Sequence, residues 1–511
     1  MGASRDKRKR HYERGEGIER RQVNARKKRE KQSKTRLKYS IVGTIVGLII
    51  IAVIILNTDL FYTGSTAVAI GNQKYSTAEF NYYYTVSYYN FMNTYGDYIS
   101  YFFDTSQPLR KQVYDGEEFD TWADYFKDQA LNSMIGVTAL YEKAAAEGFL
   151  TLSEDRLAEI DESLAEYSSY AEQGGYPDTD RYLSAVYGRG FSEKLLREIM
   201  TRSVIAGDYA KHINDSFSFS SDELFNWYEE NKDIYDRITY TYYYVSSDAF
   251  GFNGDGDEQN DNGDNTAAMA SAESLAYEIA AAASDVESFA AIVEELTGDL
   301  PATDTYAAGD IAYSDYAEWL LSADRKTGDV TVTETDAGYY VLLYGDRDDN
   351  RYNTVSVRHI LIRAQADEET GEYTDEAKAT ALLEAERLLE EWRSGEATEE
   401  SFAEFAALYS EDEGSAENGG LYEDIYKGMM VDEFNRFCFG NWSYGDTAIV
   451  FGENDYYAGY HIIFFSGTGE VYADMIAESK LRDQSYSEWE QAVTSGYAAL
   501  EKFPLVFRKK I

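Results

Sequence analysis

Residues 39–58, YSIVGTIVGLIIIAVIILNT, run for twenty positions without a charge. At 1.5 Å of helical rise per residue such a run matches a hydrocarbon core of about 30 Å, so it predicts a transmembrane helix. The charge on either side supports the same reading. Residues 1–38 hold 16 Lys+Arg and five Asp+Glu, a net of +11, in a chain whose total is −45, which leaves −56 for the rest. Basic residues stay on the cytoplasmic side of a span, so the expected arrangement is a cytoplasmic tail (1–38), a single-pass anchor (39–58) and an acidic bulk outside. A cleavable signal peptide is the competing reading. Against it stand the long basic leader, an apolar core beyond about 15 residues and the lack of an A-x-A site. Gly43 and Gly47 form a G-x-x-x-G, a spacing that offers a face for a homodimer. The basic tail beside a span reads as a headgroup contact; no nucleic-acid module follows it, and no nucleic-acid partner is expected.

At 511 residues the chain has room for about three domains. Its one cysteine, Cys438, excludes an intrachain disulfide and any Cys-based metal site, and its four histidines, His11, His212, His359 and His461, leave little for a histidine metal centre. Neither a metal nor a cofactor is expected. The chemistry must come from carboxylates, hydroxyls and two or three histidines.

After the apolar run, residues 67–76 read as a short strand, a turn at Gly71-Asn72 and a return strand. Helices are predicted from there to about Tyr235. Between 77 and 103 the aromatics Phe80, Tyr83, Tyr84, Tyr88, Phe91, Tyr95 and Phe102 recur at helical spacings, as a packed core or as a greasy cradle for unfolded chains. Leu196, Met200 and Val204 mark another amphipathic helix, with His212 near its end as a cap or surface residue. Ser220 to Glu223 form a capping box that starts a further helix.

Two later segments repeat each other. YDRITYTYYYVSS from Tyr235 and YNTVSVRHILIRA from Tyr352 are strand-like and of equal length. Each is followed by a helix, then by ESFAAIVEEL or ESFAEFAALYS, a Gly-Asp turn (Gly328-Asp329, Gly445-Asp446) and a closing strand, AGYYVLLY or AGYHIIFF. This order predicts two copies of one domain of about 110 residues. His359 aligns with Tyr242, and His461 with Tyr340.

The second copy, with VRHILIRA, FAALYSEDEGSAENGGLYEDIYKGMMVDEF, the Gly-Asp turn and GYHIIFF, resembles a parvulin-type peptidyl-prolyl isomerase domain over residues 353–467. With an aromatic helical region upstream, the whole is similar to SurA-like and PrsA-like extracytoplasmic foldases. The fold this implies is α+β: a single N-terminal transmembrane helix, a helical SurA-like chaperone domain (59–235), a degenerate parvulin-like domain (236–346), a parvulin isomerase domain (353–467), each parvulin a small antiparallel sheet flanked by helices, and a C-terminal segment (468–511) that returns to the chaperone domain through a helix at about 475–500 and FPLVF. It implies location at the cell membrane, with the bulk of the chain outside, in the manner of a Gram-positive bacterium. PrsA-like foldases commonly attach through a lipidated cysteine; here the apolar helix would replace it.

An X–Pro amide prefers trans only slightly but crosses a barrier of about 20 kcal/mol, so it isomerises in tens of seconds or more. Catalysis has only to stabilise the twisted amide, which calls for an apolar seat for the proline ring and a few oriented hydrogen-bonding groups, with no nucleophile or cofactor. By the resemblance, His359 and His461 are the paired strand histidines, Asp412 faces the substrate carbonyl, and Leu421, Met430 and Phe434 form the proline pocket. Ala458 stands where many members carry a hydroxyl or tyrosine, so a hydrogen bond near the histidines is expected to be missing. The loop after His359 is acidic, which argues against phosphate-directed specificity.

In the first copy Tyr242 and Tyr340 replace both histidines, and it reads as a structural or client-binding module. Its loop 253–265, NGDGDEQNDNGDN, lacks the EF-hand's sixth-position Gly and closing Glu and reads as a polar loop rather than a calcium site. The partners implied are unfolded exported proteins with X–Pro bonds. Two functions remain open: an isomerase-chaperone, or a catalytically silent holdase on a parvulin fold.

Overall fold

In a computed structural model, residues 3–56, 58–250, 265–367, 370–454, 457–502, 505, 509 and 511 are described, without the side chains of 3–23, 25, 30, 52, 55, 56, 60 and 265. The loop 253–264, most of FPLVF and the side chains of much of the basic tail lie outside that set. The chain divides into two compact units, 1–217 with 485–511, and 218–484.

The first unit begins with one helix, Ala3–Leu56, in which the basic tail and the apolar run are continuous. The sequence predicts a helix only over 39–58; the tail, free of proline and rich in Lys, Arg and Glu, has the composition to extend it toward the N-terminus. No helix among the described residues is long and apolar enough to cross a membrane. The anchor expected over 39–58 is therefore not found there; three side chains of that run and residue 57 lie outside the described set.

Strands β1 (Thr66–Ile70) and β2 (Gln73–Ser76) form the predicted hairpin, with Gly71 at φ +53° in its turn. Ser76 then caps the helix Thr77–Tyr95, in a capping box with Glu79. Most of the aromatic run is core: Phe80, Tyr83 and Tyr84 are buried, and the Phe91 ring packs within 4.5–5.4 Å of Tyr95, Phe102, Trp122 and Phe126. Tyr98 and Tyr101 are exposed. Helices Trp122–Ala146, Glu154–Gln173 and Glu193–Ser216 supply the remaining apolar faces, and His212 stacks on Phe149 at 5.4 Å. The end of the chain joins this unit. Leu500 and Glu501 pair antiparallel with Ala69 and Val68, and Leu505 is buried in the same core.

The second unit opens with the helix Ser221–Tyr235, capped by Ser220 and Glu223 as the sequence predicts. Two four-stranded antiparallel sheets follow. The first contains β3 (Arg237–Ser246), β4 (Ala302–Ala307), β5 (Val330–Thr335) and β6 (Gly338–Asp348) in the order β4-β3-β6-β5. The second contains β7 (Asn353–Arg363), β8 (Leu421–Ile425), β9 (Thr447–Asn454) and β10 (Tyr457–Val471) in the matching order β8-β7-β10-β9.

The Gly-Asp turns coincide too. Gly328 and Gly445 both sit at φ +90°, a backbone open to glycine, and their amides donate to the carbonyls of Tyr344 and Phe465. The amides of Tyr344 and Phe465 in turn donate to the carbonyls of Asp329 and Asp446.

Alternation along each strand divides the core between two sheet faces. In the second sheet Ile360, Ile362, Ile462 and Phe464 bury against the helices Asp375–Ser394 and Glu399–Tyr409. Val355, Val357, Ile463 and Phe465 face the short helix Asp432–Cys438. His359 and His461 share the parity of this second set, so they lie on the face toward Phe434.

Candidate functional site

The site is set by register. β7 pairs antiparallel with β10, His359 opposite Ile463 and His461 opposite Leu361, so the two histidines are diagonal neighbours on one face. Their rings lie 5.3 Å apart at 24°, and Nδ1 of His359 is 3.1 Å from Nδ1 of His461. Both are almost fully buried, at 3% and 5% exposure. Phe434 closes the pair from one side with its ring edge-on, 5.5 Å from His359 and 5.1 Å from His461.

Asp412 is held at the other end of the pair. Its Oδ2 lies 2.9 Å from Nε2 of His359 and accepts from Ser415 Oγ at 2.6 Å and Tyr422 OH at 3.1 Å. The hydrogen bond from His359, with those from Ser415 and Tyr422, holds this carboxyl well below the usual carboxylate range. It is therefore an anion at neutral pH. Its side chain keeps 20% exposure, so it reaches the cleft.

That anion fixes the direction of every proton in the cluster. Nε2 of His359 must carry a hydrogen to serve Asp412, and in that tautomer Nδ1 is the acceptor. The Nδ1–H of His461 donates there, which leaves Nε2 of His461 as an acceptor. Tyr457 OH lies 2.8 Å from that atom and donates to it. Burial, then the neighbouring His359, pushes the pKa of His461 down to about 3, which keeps that ring neutral. The result is a one-way chain, Tyr457 to His461 to His359 to Asp412, ending on a partly exposed carboxylate. Burial and the Asp412 charge push Tyr422 up to about 12, so it remains a donor.

Two glycines make the close approaches possible. A Cβ on Gly452 would lie 2.9 Å from Nε2 of His461 and 3.0 Å from Tyr457 OH. One on Gly420, at φ +69°, would lie 2.2 Å from the carbonyl oxygen of His359.

The structure brings His359, His461, Asp412 and Phe434 together. Met430 packs against the cluster that contains Phe434, but Leu421, paired with Arg358 on β8, has the parity of the other sheet face and does not join it, because a one-residue step along a strand reverses the side chain. The hydrogen bond expected to be missing because of Ala458 is present. Tyr457, one residue earlier, provides it, because positions four apart on a strand point to the same face, and Ala458 itself is buried in the opposite core. Ser415 and Tyr422 are not singled out by the sequence; the signals for them were a serine three residues after Asp412 and a tyrosine beside Leu421.

In the first copy the same register holds tyrosines. Tyr242 pairs with Leu342, two residues beyond Tyr340, just as His359 pairs with Ile463, two beyond His461. The rings of Tyr242 and Tyr340 lie 6.1 Å apart, and Tyr316 stands edge-on to Tyr340 at 5.1 Å, where Phe434 stands to His461.

Residues 342–466 match the family model of the PPIC-type PPIASE domain. A curated relative, the chaperone SurA of Alcanivorax borkumensis, is 32% identical over 152 residues, 28% of this chain and 32% of its own. The chain thus spans about a third of that relative's length. Among solved structures, PrsA of Bacillus subtilis covers 76% of this chain and 91% of its own at 15% identity and a TM-score of 0.26. The foldase PrsA of Streptococcus pneumoniae covers 74% and 90% at 12% identity and a TM-score of 0.24.

Proposed function

We propose that this protein is a peptidyl-prolyl cis-trans isomerase and chaperone for unfolded exported chains, with its reaction centre at His359, His461 and Asp412. The observation that carries the reading is the one-way hydrogen-bond chain ending on an ionised Asp412 beside an aromatic-walled seat. A planar X–Pro amide holds partial negative charge on its carbonyl oxygen, and twisting the C–N bond removes that charge. An anion fixed near the carbonyl therefore disfavours the planar amide more than the twisted one and lowers the barrier between them. His461 stays neutral and adds no cation that would cancel the effect. Phe434 and Met430 seat the pyrrolidine ring. No bond is broken, and no metal or cofactor is needed.

The first unit serves as the client-holding module, the first parvulin-like copy as a scaffold without the catalytic groups, and the residues 39–58 as a membrane anchor that leaves the acidic bulk outside. Ile41, Val42, Ile45, Leu48 and Ile49 are each more than half exposed on their helix, a surface that calls for lipid or a second helix, with Gly43 and Gly47 as the close-approach face for the latter. A protease-coupled X–Pro peptide assay tests the activity. The reading predicts clear catalysis by the native chain and its loss in His461→Ala. Background-level activity in the native chain, with suppression of client aggregation intact, would instead make the protein a holdase.

A further inference from the structure

A second cavity, of about 540 Å³, lies in the same unit on the far side of the segment that carries the proline pocket. Its apolar lining is Tyr235, Tyr426, Met429, Tyr472, Met475 and Ile476, and the charged Arg237, Glu423, Asp424 and Lys480 share it. Tyr426 and Tyr472 stack at 4.6 Å and 9°, giving it a flat aromatic wall. Met429 is 43% exposed at its mouth. Flexible thioethers beside fixed rings suit side chains of varied shape.

One segment ties this cavity to the isomerase site. The segment 421–431 serves both: Tyr422 bonds Asp412 and Met430 joins the Phe434 cluster, while Glu423, Asp424, Tyr426 and Met429 line the cavity. Tyr422 and Asp424 are two residues apart, about 7 Å along a strand. Asp424 and Asn350, both lining residues, are two of the three non-glycine residues with positive φ among the described residues, at +52° and +57°. Asn350 is fully buried with its Oδ1 unpartnered, and its Nδ2 donates to Tyr228 OH and to the carbonyl of Tyr235.

We infer that this cavity is a second client subsite, which takes an apolar side chain of an extended, unfolded polypeptide a few residues from the proline seated at Asp412. The inference rests on the isomerase reading for what lies next door. A chain of three or four residues fills the proline pocket alone; a longer one reaches both. The subsite thereby makes the enzyme prefer long unfolded chains over short peptides, and does so without touching the reacting amide.

The test uses the full-length chain and two substrates: a chromogenic X–Pro tetrapeptide and a reduced, carboxymethylated, permanently unfolded protein. Met475→Lys is expected to leave tetrapeptide kcat/KM within twofold of native and to weaken binding of the unfolded protein at least tenfold, with Met475→Leu restoring it. Unchanged affinity in Met475→Lys would overturn the inference. Because a charged variant can unfold locally, a photo-crosslinking residue at position 475 gives a second arm: cross-links to the unfolded protein support the subsite, and cross-links only to a second copy of this chain, or to none, sink it. Native protein inactive on the tetrapeptide would instead defeat the isomerase reading, with the crosslinking arm still deciding the cavity.

Discussion

The two four-stranded copies share strand order, register and a Gly-Asp turn with the same φ, yet differ in the side chains at the paired positions of the site. Where the second copy sets two histidines, an aspartate and a phenylalanine, the first sets Tyr242, Tyr340 and Tyr316. The comparison separates what the fold needs from what the site needs. The fold needs two apolar faces and large planar rings at the diagonal positions; tyrosine meets that demand as well as histidine. The site needs rings that donate at one nitrogen and accept at the other, so that one carboxylate can orient the whole row.

The largest expected effect follows directly. Asp412→Ala removes the anion to which the chain points and should lower kcat/KM on an X–Pro peptide by about 100-fold, the scale for losing one preorganised electrostatic group. Tyr242→Phe and Tyr340→Phe in the first copy should change it less than twofold. Comparable losses on both sides would mean that the copies share the work.

Next in size is Phe434→Ala. This ring is 2% exposed and touches both histidines, so its loss should cost about 3 to 5 kcal/mol of local stability and a large part of activity. Urea titration with hydrogen exchange resolved by segment would show β7 and β10 losing protection while β3 and β6 keep theirs.

Acid should distinguish the copies in the same way. His461, with its pKa lowered from 6.5 to about 3, and Asp412, also lowered, both bind protons more readily when unfolded. The stability they contribute is complete above about pH 6.5 and declines as pH falls toward 3, first through His461 and then through Asp412. Hydrogen exchange from pH 7 to pH 4 should show protection falling in β7 and β10 before β3 and β6, whose site positions hold no histidine. A parallel decline in both sheets would remove His461 as the cause.

The smallest effect belongs to Tyr457→Phe. It deletes one hydrogen bond to His461, worth about 1 kcal/mol, so kcat/KM should fall about fivefold. A Phe variant equal to native would make Tyr457 a bystander.

Much of this was legible in the sequence because the signals were periodic or repeated. Alternating strands, the Ser220 and Glu223 cap and the paired Gly-Asp turns are local patterns, and the alignment of His359 with Tyr242 depends only on counting. The groups that escaped act across space. Tyr457 reaches His461 because four residues on one strand return to the same face, whereas Ala458, one residue later, points into the opposite core. Ser415 and Tyr422 converge on Asp412 from a turn and an edge strand, which no spacing announces. The helix through the basic tail escaped for another reason: its composition signals charge before it signals helix.

The account rests on the claim that the second copy's histidine pair, not its fold, makes it an isomerase. The double substitution His359→Tyr with His461→Tyr installs the first copy's residues in the second copy's frame. Measured in the protease-coupled X–Pro assay on the full chain, with circular dichroism confirming the sheet, this variant is predicted to fall to the uncatalysed rate. Activity at the native level would contradict the assignment.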